Sequence, residues 1–409
     1  MVRTSQWSAA VAAAGLITTL AACSPGGGGG GEASGQELTM LIAASGDAES
    51  TAVQEALDAW GAETGNTVEL ILANDLVQQL GQGFAGNEPP DLFYMPWDQF
   101  QTYAGQGFLE PYAEDLANAD EFLPALREQF TYDDQFYCAP KDFSTLGLQI
   151  DTDAWAAAGL TDADIPTDWD GLTAAAQKLT TPETVGLSFG REYARLGVFM
   201  NQAGGELVDD DTVTADSPEN VAGLEYAQSL IDAGALKFPQ DLEAGWAGEA
   251  FGLGKAAMVI EGPWINGALR NDFPDRKYIS VELPAGAGGQ STFAFSNCWG
   301  IPAGSPTLDV TTDLVEYLTS DEQQLAFAEG FGVIPSTESG SAAYAEQFPE
   351  NAAFVAGVDY AASPVAFAGA AAAITDFNSQ LEADGLTDPA GVLGGLQTNL
   401  QAALDEANG

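Results

Sequence analysis

From residue 38 onward the apolar positions alternate between two rhythms. Short apolar runs at 38–42, 68–72 and 91–95 have the length of buried strands. Between the first two, Val53, Leu57 and Trp60 recur at helical spacing with Glu55 and Asp58 facing away, and a second helical segment covers 76–84. This β-α-β-α-β order predicts a parallel sheet covered on both faces. Leu146, Leu148 and Ile150 then alternate with Gly147 and Gln149, the period of a half-buried strand. A helix over 168–179 and a strand over 185–189 follow. Ser217-Pro218-Glu219 opens a further helix with proline in its first turn, and Gly234 closes it. Strands are predicted at 256–260, 278–283 and 292–295, with a helix from Pro263 towards Arg270 after the first of them. Beyond Thr307 the pattern is mostly helical and ends in Leu393, Leu396, Leu400 and Leu404 at helical spacing. There is no internal repeat. Two α/β lobes, crossed by the chain more than once, fit this order better than one very large sheet.

Charge narrows the functions open to such a fold. The 409 residues carry 60 acidic and 11 basic side chains, a formal net charge of −49, which argues against nucleic acid or an anionic membrane surface as a partner. Histidine is absent, so Ser-His-Asp and Cys-His catalysis and HExxH zinc sites are excluded. Acid-only or Lys-based chemistry survives; 60 carboxylates always supply a pair, yet no local pattern singles one pair out. The acidity itself suits solubility in salty surroundings; a cationic ligand is the sharper reading of it.

The N-terminal segment reads as an export signal. Arg3 precedes an apolar stretch from Ala9 to Leu20, and Leu20-Ala21-Ala22-Cys23 follows. That string resembles the lipobox of bacterial lipoproteins, in which the cysteine is lipidated; residues 1–22 are then the signal peptide and Cys23 the anchor. Six glycines, Gly26 to Gly31, form a flexible tether within the linker 23–36. Two cysteines remain, Cys138 and Cys298, and in an exported protein such a pair is either a disulfide or two buried thiols.

Familiar ligand motifs fail when tested. Gly254-Lys255 is followed by Ala256 where a phosphate loop needs Ser or Thr, and Asp209-Asp210-Asp211 lacks the glycine and terminal glutamate of a calcium loop. No cofactor and no metal are expected. The eight tryptophans say more. Trp60, Trp155 and Trp169 fall where helices need an apolar anchor, whereas Trp97, Trp246, Trp264 and Trp299 flank predicted strand ends beside Gly, Pro, Asp or Asn. Ligands of open α/β sheets bind at strand ends, where an indole can stack on the C–H face of a sugar or help to cage a quaternary ammonium.

The segment Gly254-Lys255-Ala256-Ala257-Met258-Val259-Ile260-Glu261-Gly262-Pro263-Trp264 resembles the GKAAM…GPW signature of family 1 extracellular solute-binding proteins, the substrate-capturing subunits of carbohydrate ABC importers. Pro90-Asp91-Leu92-Phe93, Gly107-Phe108-Leu109-Glu110-Pro111, Pro166-Thr167-Asp168-Trp169, Trp299-Gly300-Ile301-Pro302 and Gly332-Val333-Ile334-Pro335-Ser336 follow the family's order. In Pro166-Thr167-Asp168-Trp169 the aspartate is extra to the family's spacing. The resemblance implies a two-lobed, periplasmic-binding-protein-like α/β fold with an interlobe hinge and a ligand cleft. One lobe would hold 37–141 and 297–340, the other 142–296 and 341–409. It further implies that Cys138 and Cys298 lie on adjacent hinge strands and form a disulfide.

The implied function is capture of a di- or oligosaccharide by lobe closure and delivery to a permease, by a monomer held to the membrane through its lipid alone, without catalysis. The expected contacts are Asp47, Trp97 and Asp98 from the first lobe and Asp142 and Asn297 from the hinge. Trp246, Glu261 and Trp264 are expected from the second lobe, with Trp299 closing the far wall. Lys141, Arg191 and Arg195 are read as partners of nearby acids, and Lys255 as serving the fold. A cationic or zwitterionic solute in the same fold, and an acid-only glycosidase, are the competing readings.

Overall fold

The computed structural model describes residues 35–44, 46–209 and 212–407. The expected signal peptide, Cys23 and all of the expected linker but Gly35 and Gln36 lie outside the described residues. The strands that carry the fold are β1 (Glu37–Ile42), β2 (Thr67–Leu72), β3 (Leu92–Pro96), β4 (Gly147–Asp151), β5 (Val185–Ser188), β6 (Ala256–Glu261), β7 (Tyr278–Val281), β8 (Thr292–Phe295) and β9 (Asn297–Gly300).

The first sheet has the order β9-β3-β1-β2, with β1, β2 and β3 parallel and β9 antiparallel to β3. Helix Asp47–Thr64 covers it with Val53, Ala56, Leu57 and Trp60, all buried, while Glu55 and Asp58 face solvent as the periodicity requires. The expectation of a fully covered sheet fails at β2. This strand is an edge of the sheet, with Ile71 and Leu72 37% and 53% exposed.

The second sheet has the order β7-β4-β6-β5, with β4 antiparallel to both of its neighbours and β6 parallel to β5. Here β4 is buried along its whole length rather than on alternate positions. It is a central strand with both faces covered, so Gly147 lies under the Phe354 ring and Gln149 donates to the Glu261 carbonyl at 3.2 Å. The helix Trp169–Leu179 starts where expected. The extra Asp168 is its cap, accepting from the Gly171 amide at 2.8 Å. Ser217 likewise caps the helix Pro218–Asp232.

Each sheet has its own core. One runs through Met40, Trp60, Phe93, Tyr94, Cys298 and Trp299, the other through Leu148, Phe199, Met258, Phe293 and the C-terminal Leu393, Leu396, Leu400 and Leu404. Three chain segments join the two. The stretch around Cys138–Thr145 runs antiparallel to β8 and β9, with bridges Pro140 to Cys298 and Ser144 to Phe295, and Phe143 pairs with Ile334 on its other side. Cys138 and Cys298 form a disulfide across this junction. The molecule is thus an α/β protein of two lobes with a three-stranded hinge. A boundary at residue 340 would cut the continuous helix Glu338–Gln347, whose Tyr344 donates to the Gly332 carbonyl at 3.1 Å.

Candidate functional site

At the hinge a half-open cavity of about 210 Å³ lies between the lobes. Its floor is polar: Glu49 from the helix Asp47–Thr64, Lys141 and Asp142 from the first crossing segment, and Ser144, Ser296 and Asn297 beside them. Its walls are aromatic. Trp97, the first residue of the helix Trp97–Gly105, stands 6.2 Å from the Phe295 ring, and Trp264 stands 6.4 Å from the same ring.

The floor is built around one buried cation. Lys141 is 5% exposed; its Nζ donates to Glu49 Oε1 at 3.1 Å and forms a close ion pair with Asp142. Glu49 also accepts from the Tyr94 hydroxyl at 2.9 Å, and the ammonium lies 4.7 Å and 5.1 Å from the centres of the Tyr94 and Phe331 rings. Burial alone would lower the ammonium's pKa, but Asp142 and Glu49 together hold it above the usual lysine value. Two carboxylates share this one cation. Burial, reinforced by Glu49, raises the Asp142 carboxyl above the usual aspartate range even though Lys141 opposes the shift. Burial raises Asp98 in the same direction.

A pH dependence follows with a definite sign. The folded protein holds a proton on Asp142 more tightly than the unfolded chain does. The stability this group contributes is therefore present at acid pH and lost as pH rises through its raised value. Ligand capture that uses the carboxylate runs the other way. Affinity is expected to fall on acidification at a pH above the ordinary aspartate range, and Asp142→Asn to bind weakly but independently of pH over that interval. Isothermal titration across pH 4–8 checks this; an unchanged pH profile in the variant would rule out Asp142 as the titrating group.

Five of the nine expected contact residues are placed in or against this cavity. Trp97, Asp142, Trp264 and Asn297 line it. Glu261 is 2% exposed behind Trp264, accepting from the indole Nε1 at 3.1 Å and from Arg195 Nη2 at 2.6 Å. Asp47 is exposed at the start of its helix and does not line the cavity, although Ala43, Ala44 and Glu49 around it do. Asp98 lies one residue beyond Trp97 and accepts from Gln99 at 3.3 Å rather than facing the cavity.

The two remaining tryptophans stand elsewhere. Trp299 has no exposed surface. Its register partner in β3 is Tyr94, so the indole packs edge-on against that ring at 5.1 Å inside the first core and cannot close a ligand wall. Trp246 precedes the helix Ala247–Gly252, lies folded over Gly248 and packs on the small core of Val185, Phe251 and Val259.

Sequence reasoning missed Glu49, Ser144, Phe295 and Ser296. Glu49 had a signal: it is an acid on the inward stripe that Val53, Leu57 and Trp60 continue. The basic residues behave as read, with Arg191 paired to Asp241 at 3.1 Å, Arg195 to Glu192 at 3.2 Å, and Lys255 donating to the Leu242 carbonyl at 2.6 Å.

A second, larger groove of about 660 Å³ continues from the first lobe. Thr102, Gly105, Gln106 and Tyr132 form one side, and Gly369, Ala372, Ala402 and Ala403 of the C-terminal helices form the other. The helix Trp97–Gly105 walls both spaces, the cavity at its start and the groove at its end, about 12 Å apart at the helical rise. Among the described residues no cluster of acids, cysteines or histidines could hold a metal ion, and no helix is long and apolar enough to cross a membrane.

Known proteins share this architecture. An ABC substrate-binding protein of Listeria monocytogenes, solved with cycloalternan, superposes with a TM-score of 0.82 at 21% identity, covering 91% of this chain and 99% of that one. The GacH receptor of Streptomyces glaucescens, solved unliganded and with acarbose, gives a TM-score of 0.81 at 22% identity over 91% and 99%. In sequence, a maltooligosaccharide ABC transporter solute-binding lipoprotein of Streptococcus pneumoniae is 27% identical over 321 residues, 72% of this chain and 71% of its own. A family model described as bacterial extracellular solute-binding protein matches residues 55–356. The chain with the hinge-borne cavity described above belongs to the bacterial extracellular solute-binding protein family.

Proposed function

We propose that this protein captures a di- or oligosaccharide outside the cell by closing its lobes and hands it to the permease of an ABC importer. The observation that carries the reading is the cavity's division of labour. Aromatic rings from both sides of the hinge, Trp97 and Trp264, flank a floor of hydrogen-bonding groups, the buried Glu49, Lys141 and Asp142 and the half-buried Asn297. A pyranose has two apolar C–H faces and a rim of hydroxyls, so it matches rings on the walls and charged acceptors on the floor. The groove beyond Thr102 leaves room for further sugar units along the same helix. The similarity to a maltooligosaccharide-binding lipoprotein supports the ligand class and, with the Leu20-Ala21-Ala22-Cys23 string, an anchor at Cys23.

Ligand touching both lobes binds the closed form better and shifts the population towards it. In this reading residues 37–141 and 297–340 move as one body against 142–296 and 341–409, and a monomer delivers an unaltered sugar. A cationic or zwitterionic solute is the second reading, favoured by one fact: the floor holds two buried carboxylates against one ammonium, beside two indoles.

Titration of the purified protein with malto-oligosaccharides, other disaccharides, glycine betaine and a polyamine, followed by tryptophan fluorescence and product analysis, separates the readings. A saturable response to an oligosaccharide recovered intact is expected, and Trp264→Ala is expected to weaken it about 30-fold, the effect of losing a central aromatic contact worth about 2 kcal/mol. A response to the cationic solutes alone would replace the carbohydrate reading. Cleavage of the glycan would replace the binding protein by an enzyme.

A further inference from the structure

We infer that Glu261 and Arg195 are positioning residues that fix the Trp264 ring as a rigid stacking platform and withdraw its N–H from the ligand. The inference rests on the carbohydrate reading only for the sugar used in one arm of its test. Three contacts hold the ring. Glu261 Oε2, buried at the end of β6, accepts from Trp264 Nε1 at 3.1 Å. The same oxygen accepts from Arg195 Nη2 at 2.6 Å, which makes it a shared anchor for both groups. The Arg195 guanidinium carbon in turn lies 5.5 Å from the indole centre, and Glu192 at 3.2 Å holds the guanidinium from its other side.

The chain itself clears the space. A Cβ on Gly262 would fall 2.1 Å from Trp264 Cζ3, so any side chain at 262 would push the ring from its place. Trp264 is therefore constrained along its N–H edge by Glu261, by Arg195 near its ring and by the backbone of Gly262 beneath.

This arrangement has a consequence for specificity. An indole whose N–H is already bound to a buried carboxylate offers a ligand only its π-face. It favours a sugar ring with an uninterrupted C–H face and gives nothing to an extra hydroxyl at its edge. A ring fixed before binding also loses little rotamer freedom when the sugar arrives. Glu261, expected from the sequence to touch ligand, acts instead through Trp264.

The test uses the full chain and two readouts. Hydrogen exchange of the Trp264 indole N–H, assigned by its loss in Trp264→Phe, needs no ligand. It is expected to be slow in the wild type and in Glu261→Gln, whose amide oxygen can still accept both donors, and fast in Glu261→Ala. Fast exchange in the wild type would overturn the inference whatever the protein binds. In the second readout Glu261→Ala is expected to weaken oligosaccharide binding about tenfold, the loss of one charge-assisted bond's worth of order. Glu261→Gln should restore most of it, and Glu261→Ala should have no further effect in a Trp264→Ala background. Additive losses in that background, in protein whose urea midpoint shows it folded, would overturn the positioning role. A slowly exchanging N–H in a protein that binds no sugar would leave the inference standing and remove the carbohydrate reading.

Discussion

Lys141→Met is expected to destabilise the protein by about 3–5 kcal/mol at neutral pH, because it removes from the hinge the buried ammonium that Glu49 and Asp142 both bond to. The ammonium is 5% exposed, so water cannot take over its role. The loss should shrink on acidification, as the carboxylates deprived of the ammonium neutralise themselves by taking up protons, a sign opposite to that expected of a simple packing defect. Urea midpoints at pH 8 and pH 5 measure both effects. Combining Lys141→Met with Glu49→Gln and Asp142→Asn should recover much of the stability, since a buried ion cluster replaced as a whole costs far less than one broken by halves. A pH-independent change below about 1 kcal/mol would mean that Lys141 is not the counter-charge of the floor.

Loss of the Cys138–Cys298 disulfide should be comparably costly. The bond closes a loop spanning 160 residues, for which the chain-entropy account gives about 5 kcal/mol as an upper figure and measured losses of 2–4 kcal/mol are typical. That cost falls on the unfolded chain. In the folded protein the same segments stay paired through the Pro140 to Cys298 bridge, the Lys141 amide to Asn297 carbonyl bond at 2.7 Å, and the Ser336 hydroxyl to Pro140 carbonyl bond at 2.7 Å. Cys138→Ala with Cys298→Ala should therefore lower the urea midpoint strongly while leaving ligand affinity in dilute buffer nearly unchanged. An equal midpoint with and without reductant would show that the bond adds nothing to the fold. A large loss of affinity would show instead that it shapes the cleft.

The periodicity of the chain located its elements well because a strand or helix is chosen by local spacing. The helix Asp47–Thr64 was legible from Val53, Leu57 and Trp60. So was the run Ala256–Glu261, in which the family signature and a buried strand coincide. The same local rule misjudged β4, since alternation of Leu146, Leu148 and Ile150 with Gly147 and Gln149 reports a polar face. Whether that face meets water depends on Phe354 and on β6, far away in the chain.

The site divides along the same line. The amino-acid sequence determined by itself the α/β class, the family, the two cysteines free to pair across the hinge, and the tryptophans and carboxylates from which the hinge cavity is assembled. Only the tertiary structure decided their roles. Trp264 faces the cavity while Trp299 is locked under Tyr94, Glu261 serves a ring instead of a ligand, and Glu49 with Lys141 forms the floor. Spacing along the chain specifies which residues share a face within one element. Which faces meet is set by pairings such as Cys298 with Met95 and Phe143 with Ile334, each about 200 residues apart, whose energies lie in packing and burial between elements and in no local pattern.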